Sequence, residues 1–338
     1  YYSNRSDKYD VNAFARANVS ISSAFSAFAD VQYRHIDYRL WGANDNFDYT
    51  TDAMQTLDYR RRYDFFNPKV GVNFTDGFRN RAFASWSVAH KEPTRSNFTD
   101  GDPAHVPSAE RLFDYEIGYS YSHPLFAIGV NLYYMDYKDQ LVVTGQLSDT
   151  GNPLSVNVPR SYRAGVELQA RLFPCRWFDW QINATLSRNR IRNFTEYIYE
   201  DGWTNPISNY IGSTPIAFSP DFTLNNAFNF SVAGFTASLR SHYVSKQYMS
   251  NAHSSEELLD AYFVSDLYLG YTFKSIARLR ELRLGVDINN LFNARYESNG
   301  YSGAGYYVDP DGRKVIYRYA GYAAQAPINA LASVTIKF

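Results

Sequence analysis

The side chains best equipped for chemistry in this sequence are histidines, arginines and aromatics gathered in a few long, irregular stretches. His90 and Lys91 lead into a stretch carrying Arg95 and His105, Trp203 and Tyr210 lie in a second, and Tyr301, Tyr306, Tyr307, Arg313 and Arg318 lie in a third. Guanidinium and phenol groups hold anionic, aromatic-bearing molecules through charge-assisted hydrogen bonds and stacking. Imidazoles such as His90 and His105 can be axial ligands to iron. The same residue types anchor proteins at lipid interfaces, a reading that stays open for the loop tyrosines. Catalytic patterns do not accompany them. There is no G-x-S-x-G, H-E-x-x-H, phosphate loop or C-x-x-C. Glu256-Glu257 lies in a loop with no partner pattern, and Asp149 to Asn152 and Asp309 to Gly312 read as turns rather than calcium loops. These residues point to binding rather than catalysis, with no resident metal or cofactor.

Something must position those side chains, and composition narrows what it is. The 338 residues carry 33 basic and 34 acidic side chains, so no polyanion is implied as partner and nucleic-acid binding is disfavoured. Tyr and Phe are abundant, at 30 and 24, yet mean hydropathy is −0.42 and no run of about 18 apolar residues exists, which excludes a spanning helix. Aromatic but not greasy fits a transmembrane β-barrel, where only alternate residues face lipid and aromatics form girdles at the interfaces. A soluble all-β protein has the same composition. The lone Cys175 cannot form an intramolecular disulfide. Tyr1-Tyr2-Ser3-Asn4 offers neither an initiator Met nor a leader, so a cleaved precursor or a fragment is expected.

Period-two alternation runs from end to end. Phe178, Trp180, Ile182, Ala184 and Leu186 interleave with Asp179, Gln181, Asn183, Thr185 and Ser187, giving one apolar and one polar face. Tyr162 to Leu172 alternates in the same way against Arg163, Gly165, Glu167, Gln169 and Arg171. Such runs predict strands at about 9–21, 24–40, 59–75, 80–91, 110–122, 125–143, 158–173, 177–192, 219–231, 234–248, 260–273, 280–291 and 326–338. Most match or pass the roughly 9–11 residues a tilted strand needs to cross a bilayer. Short connections near Ser22-Ser23, Asp76-Gly77, His123-Pro124, Pro174-Cys175, Ala233-Gly234 and Lys274 to Leu279 alternate with long ones near 41–58, 92–109, 144–157, 193–218, 249–259 and 292–325. That is an antiparallel up-and-down meander with tight turns on one side of a membrane and long loops on the other. About thirteen strands is an odd count for a complete barrel. Counting back from the last strand of a 22-stranded transporter barrel makes the first strand here the tenth, and the turn parity then agrees.

The terminal strand ends on Val334, Ile336 and Phe338, an amphipathic strand with a terminal aromatic that resembles the assembly signal of bacterial outer-membrane proteins. Three further segments carry a more specific likeness. Gly285-Val286-Asp287-Ile288-Asn289-Asn290-Leu291-Phe292-Asn293-Ala294-Arg295-Tyr296 resembles the penultimate strand and following turn of TonB-dependent outer-membrane receptors. Phe66-Asn67-Pro68-Lys69-Val70-Gly71-Val72 with Ala82 to Arg95 is similar to a hairpin of that family rising into a Pro-containing loop, and Tyr115-Glu116-Ile117-Gly118-Tyr119 to its returning strand. The variant Glu92-Pro93-Thr94-Arg95 and the stretch Asn289 to Tyr296 most resemble members from Bacteroidetes.

The resemblance implies that residues 1–338 are a partial barrel domain in the outer membrane, embedded in lipid. An upstream plug would couple it to the TonB-ExbB-ExbD complex. It implies a nutrient cargo held among the long loops, so the His, Lys, Arg, Trp and Tyr residues of those stretches become candidate substrate contacts, with Arg240, His242 and Lys246 lining the lumen wall. An iron-siderophore complex is the expected cargo. Haem and cobalamin are the alternatives within the class, and a passive porin or adhesin barrel and a soluble all-β binding domain are the alternatives outside it. Lys91-Glu92-Pro93 replaces the Arg-Ala-Pro pattern associated with haem in the family.

Overall fold

The structure, a computed structural model, describes residues 3–48, 52–101, 106–147, 151–200, 204–276 and 279–338. Strands β1 (Ser3–Ser20), β2 (Phe25–Asp48), β3 (Ala53–Thr75) and β4 (Asn80–Lys91) precede a short helix, α1 (Arg95–Thr99). Then come β5 (Glu110–His123), β6 (Phe126–Leu147), β7 (Pro153–Cys175), β8 (Phe178–Glu200), β9 (Thr204–Pro215), β10 (Phe222–Val232) and β11 (Phe235–Val244). The two-residue β12 (Gln247–Tyr248) and β13 (Leu258–Leu259) flank a 3-10 turn, Ser255–Glu257. The chain ends with β14 (Tyr262–Ile276), β15 (Leu279–Asn289), β16 (Glu297–Val308), β17 (Lys314–Ala324) and β18 (Asn329–Lys337). One sheet runs β1 through β8, then β10, β11, β14, β15 and β18, each strand antiparallel to its neighbour along that path. The sheet is open, with β1 and β18 as its two edges.

Every strand predicted from alternation is present. The difference lies in the long connections. β2, β3, β6, β7 and β8 are 22 to 24 residues long and extend past the height at which the apolar rows end. At about 3.3 Å per residue, half of such a strand crosses the membrane and half stands above it. The region 193–218, expected as a loop, holds the end of β8 and the whole of β9, and 292–325 holds the β16–β17 hairpin. Above the bilayer neither face meets lipid, so the apolar/polar contrast that reveals a strand in sequence fades while the backbone ladder continues. α1 was likewise hidden inside 92–109. The short turns within the described residues match expectation, and the one at 277–278 lies outside them. Asp76 accepts from the amides of Phe78, Arg79 and Asn80 at 2.8–2.9 Å and from the Asn80 side chain, and these bonds, that of Asn80 foremost, hold its carboxyl well below the usual range. Ala233 and Gly234 both adopt positive φ, as the tightest hairpin turns require.

The apolar face of the sheet has no protein cover. Ile117 and Leu186 are each 61% exposed and Val334 64%. A surface of that extent and composition is an interface with something apolar. On the assembly-signal strand Ile336 and, far more so, Phe338 are also exposed. The apolar clusters that are buried sit instead at the loop ends: Val142, Val158, Ile191 and Ile216 with Phe194, and Leu40, Leu57 and Phe98 with Tyr38 and Tyr59. On the polar face aromatic rings lie flat on glycines of the adjacent strand. Phe28 covers Gly71, Phe83 covers Gly118, and Tyr133 covers Gly165. A side chain at any of these glycines would collide with the ring, whereas a Cβ at Gly129 meets nothing nearer than 3.9 Å. We therefore expect Gly118→Val to destabilise the folded form by about 1–3 kcal/mol and Gly129→Val to be nearly neutral. Denaturant titration of the full-length protein, read by the heat-modifiable gel mobility of folded barrels, checks the pair. Equal losses in both would rule out the ring-on-glycine packing.

Candidate functional site

The long loops fold back onto the polar face and are fastened there by ion pairs. Glu92, immediately after β4, is gripped by Arg34 of β2 through Nη1 and Nη2 at 2.9 Å each, while the same guanidinium holds Asp10 of β1 at 2.6 and 3.0 Å. Lys8 adds a 2.8 Å bond to Glu92. One guanidinium bound twice to each of two carboxylates is a geometry only arginine can supply. With its start fixed, the loop turns at Pro93, caps α1 with Thr94 and Asn97, and sets Phe98 on Tyr38, Tyr59, Leu40 and Leu57. The Glu92-Pro93-Thr94-Arg95 segment thus acts as a loop anchor.

A second assembly roofs the polar face on the side of β6 to β9. The β16–β17 hairpin reaches away from its own parent strands and pairs Gly305 and Tyr306 in parallel with Tyr199 and Glu200 at the end of β8. Arg318 on β17 binds both oxygens of Glu196 at 2.7 and 2.9 Å and Glu257 Oε2 at 3.1 Å. Glu257 is 1% exposed and also accepts from Ser250 Oγ at 2.6 Å. Burial pushes the Glu257 carboxyl above its ordinary range, with Ser250 and Arg318 acting against that. Burial alone disfavours the Arg318 charge, but its bonds to Glu196 and Glu257 outweigh that and hold the guanidinium firmly protonated. Asn251 completes the roof: its side chain accepts from the Ala217 amide and donates to the Val143 carbonyl, both at 2.8 Å, and its carbonyl accepts from Thr214 Oγ1 at 2.7 Å. Glu257 therefore corrects the sequence-based view of Glu256-Glu257 as a carboxylate pair with no partners.

Below residues 217–220 of this roof, a cavity of about 410 Å³ opens on the polar face. Glu116, Tyr133, Met135, Arg163 and Glu167 line its wall, and Arg163 donates to Ser219 Oγ at 3.0 Å. A cavity of this size with a few convergent charges over an otherwise neutral wall suits a polar small molecule. Sequence reasoning missed these wall residues because they read only as the polar half of an alternating strand.

The predicted contacts divide into three groups. Tyr301, Tyr306, Tyr307, Arg313 and Arg318 share the β16–β17 hairpin; Tyr301 and Tyr307 are exposed, while Tyr306 is buried beneath Lys314, whose Nζ lies 5.0 Å from its ring centroid. Arg313 flanks the tight turn begun by Asp309, whose carboxylate accepts from the Arg313 amide at 2.7 Å. Tyr210 on β9 is exposed and donates to Asn193 at 3.1 Å. In the second group, Lys91 is 3.8 Å from Glu110, Arg95 bonds Asn4, and His90 is held by Asn67 at 2.9 Å with its ring stacked on Phe65. These side chains serve the loop 92–109 and not the cavity. His105 and Trp203 fall outside the described residues. Arg240 and His242 do lie on the polar face, Arg240 3.7 Å from Asp287 and His242 edge-on to Tyr262.

Comparison with known proteins places this architecture. The family described as TonB dependent receptor-like, beta-barrel matches residues 1–291. Among solved structures, the chain resembles the siderophore receptor PiuA from Acinetobacter baumannii (TM-score 0.70, 14% identity, 98% of this chain and 44% of that one). It also resembles the ferric yersiniabactin uptake receptor FyuA from Yersinia pestis (TM-score 0.66, 17% identity, 99% and 47%). A third likeness is to the ferric-catecholate import receptor Fiu from E. coli K12 in its closed form (TM-score 0.66, 14% identity, 99% and 45%). The chain thus spans less than half the length of these structures. A search of curated protein sequences found no match. The chain belongs to the TonB-dependent receptor β-barrel family.

Proposed function

We propose that this chain is part of the outer-membrane barrel of an active importer whose cargo is an iron-siderophore complex, driven by TonB-ExbB-ExbD through a plug domain. The observation that carries the reading is the roof: exposed Tyr301, Tyr307 and Tyr210 and the cation Arg313 are displayed on strands fastened above a charged cavity. Phenol rings and guanidinium groups match the aromatic and anionic surface of such a chelate. Receptors of similar fold import ferric catecholates and ferric yersiniabactin. A haem cargo is less well served, because His90 is engaged by Asn67 and Phe65 instead of standing open as an axial ligand. The uncovered apolar face fits a place in the outer-membrane bilayer.

In this reading the roof is a lid whose fastening is Arg318. Removing that guanidinium leaves the buried Glu257 carboxylate facing Glu196 with no cation between them, a loss of about 3–5 kcal/mol for a buried pair. The sign of the pH effect follows from Glu257, whose carboxyl titrates higher in the docked lid than in the free one. The docked state therefore binds the proton more tightly, and docking strengthens as pH falls through the window above the free value of 4.5.

Three outcomes are expected of the full-length receptor. It should restore growth of a deletion strain under iron limitation and bind a ferric catecholate in detergent; growth and binding indistinguishable from the deletion would reject the cargo. Replacing Tyr301 and Tyr307 together by Ala should cost about 1–3 kcal/mol of binding, roughly 5- to 150-fold in Kd, with folding unchanged; calorimetric titration decides. Arg318→Gln should abolish amide-exchange protection across residues 297–324, and protection in the parent protein should rise as pH is lowered toward 4.5, a trend that Glu257→Gln removes.

A further inference from the structure

The segment that joins β9 to β10 roofs the cavity, and it is pinned along its length. The Ile216 amide donates to the Asn189 carbonyl at 3.2 Å, the Ala217 amide to Asn251 Oδ1 at 2.8 Å, and the Phe218 amide to the Tyr248 carbonyl at 2.8 Å. Ser219 Oγ accepts from Arg163 at 3.0 Å, and the Pro220 carbonyl accepts from Ser187 Oγ at 3.2 Å. Between these anchors Phe218 is held at φ +51°. Among the described residues the other non-glycines at positive φ are Asp, Asn, His and Ala. A bulky aromatic in that region is an outlier, whereas glycine takes the same backbone without strain. Strain of this kind collects at ligand clamps. What it achieves here is a benzyl ring in the lining of the cavity.

That lining has a definite charge. Phe218 bounds it from the roof, Tyr133 and Met135 from the wall. Glu116 and Glu167 bring two carboxylates against one guanidinium, that of Arg163, whose Nη1 is already engaged by Ser219. Asn131 Oδ1 is buried with no hydrogen-bond partner, so the wall also holds an acceptor that lacks a donor. Just outside the lining, Asp114 and Lys69 stand in the lateral row of Met135 and Arg163 and offset one another. The cavity therefore presents one uncompensated negative charge, hydrogen-bond acceptors and two aromatic rings, and at about 410 Å³ it is far larger than a bare metal ion needs. We propose that it binds a monovalent organic cation, a protonated amine carried on a planar ring. The ammonium meets Glu116, Glu167 and Asn131 Oδ1, and the ring meets Phe218 and Tyr133. Organic cations are drawn to the faces of aromatic rings as well as to carboxylates. The assignment deepens the import reading, on which it rests, by naming the part of the cargo that enters beneath the roof.

The test titrates the full-length receptor in detergent with tyramine and with 4-hydroxyphenylacetate, two similar phenols of which one carries an ammonium and the other a carboxylate. Tyramine should bind at least tenfold more tightly. Glu116→Gln/Glu167→Gln should bring the two within twofold. Folding of each variant is checked by heat-modifiable mobility, and Glu167→Gln alone replaces the double variant if that one does not fold, with at least a threefold loss of preference expected. Phe218→Leu should weaken tyramine at least fivefold, while Phe218→Tyr should stay within twofold of the parent. Phe218→Gly should weaken tyramine as Leu does and yet slow amide exchange across residues 214–221 at least threefold, because the strain is gone; a merely structural role for the ring would speed that exchange. Equal affinity for the two phenols, displacement of tyramine by equimolar sodium, unchanged tyramine binding in Phe218→Leu, or exchange no slower in Phe218→Gly would each overturn the proposal. Failed growth under iron limitation with the tyramine preference intact removes the siderophore cargo and leaves this site; restored growth with no preference between the phenols removes this site alone.

Discussion

Inside a bilayer no water is available to satisfy a backbone N–H or C=O, so each must find its partner in the chain itself. The rest of this structure depends on that requirement. It forces adjacent strands into an unbroken antiparallel ladder wherever lipid surrounds them, and the ladders here obey it. β4 pairs with β5 from Asn80↔Tyr121 to Lys91↔Glu110 and β5 with β6 from Arg111↔Lys138 to His123↔Phe126 without a slip. Irregularities cluster at strand ends: between Ala43 and Phe47, between Val143 and Leu147, after Ile191, and near the turn at Leu172 to Cys175. At those heights water or loop groups can accept what the ladder drops.

Because the sheet's apolar residues face outward to an apolar medium, the protein has little core in the usual sense beneath its strands. Order at the mouth must come from elsewhere. It comes from two small apolar clusters and from charged groups held in company: Arg34 between Asp10 and Glu92, partly open to water, and Arg318 between Glu196 and the buried Glu257. Buried ion pairs contribute little net stability compared with apolar packing, but they are unforgiving of wrong partners. That property suits loops that must dock in one arrangement.

The wall was legible in the sequence because lipid contact imposes a strict contrast between neighbours, as in Phe178 to Ser187. The Asn-rich segment at 289–293 was legible for a local reason: Asn290, at positive φ, bonds the carbonyls of Ala294 and Ala326 and the amide of Ala294, tying the end of β15 to the approach of β18. What failed to show was long-range or unpolarised. Glu196 and Arg318 are 122 residues apart, and nothing near either announces the other. β9, β16 and β17 alternate between tyrosines, glycines and polar residues with neither face apolar, which reads as a loop. His90 looked like a ligand by type and place; its engagement with Phe65 and Asn67 depends on how β3 and β4 part company above Lys69↔Ser87, which no sequence pattern reports.

The same register that divides lumen from lipid also divides the two charged regions of this molecule. On β7, Arg163, Glu167, Gln169 and Arg171 point to the polar face, one residue out of phase with Tyr162, Ala164, Val166 and Leu168. On β8, Arg188 and Arg190 stand on the opposite face from Asn189. A slip of one residue between β7 and its neighbours would exchange these sets, moving two arginines and a glutamate into lipid and Leu168 into the lumen. An arginine moved into lipid costs roughly 2–4 kcal/mol at the midplane and about 0–1 near the interfaces, so the misplaced charges together cost a sizeable fraction of the stability of an ordinary domain. The cavity wall at Arg163 and the outward Arg188 are therefore not independent features. One choice of phase fixes both, and the lipid enforces that choice more strongly than the contacts of either residue could.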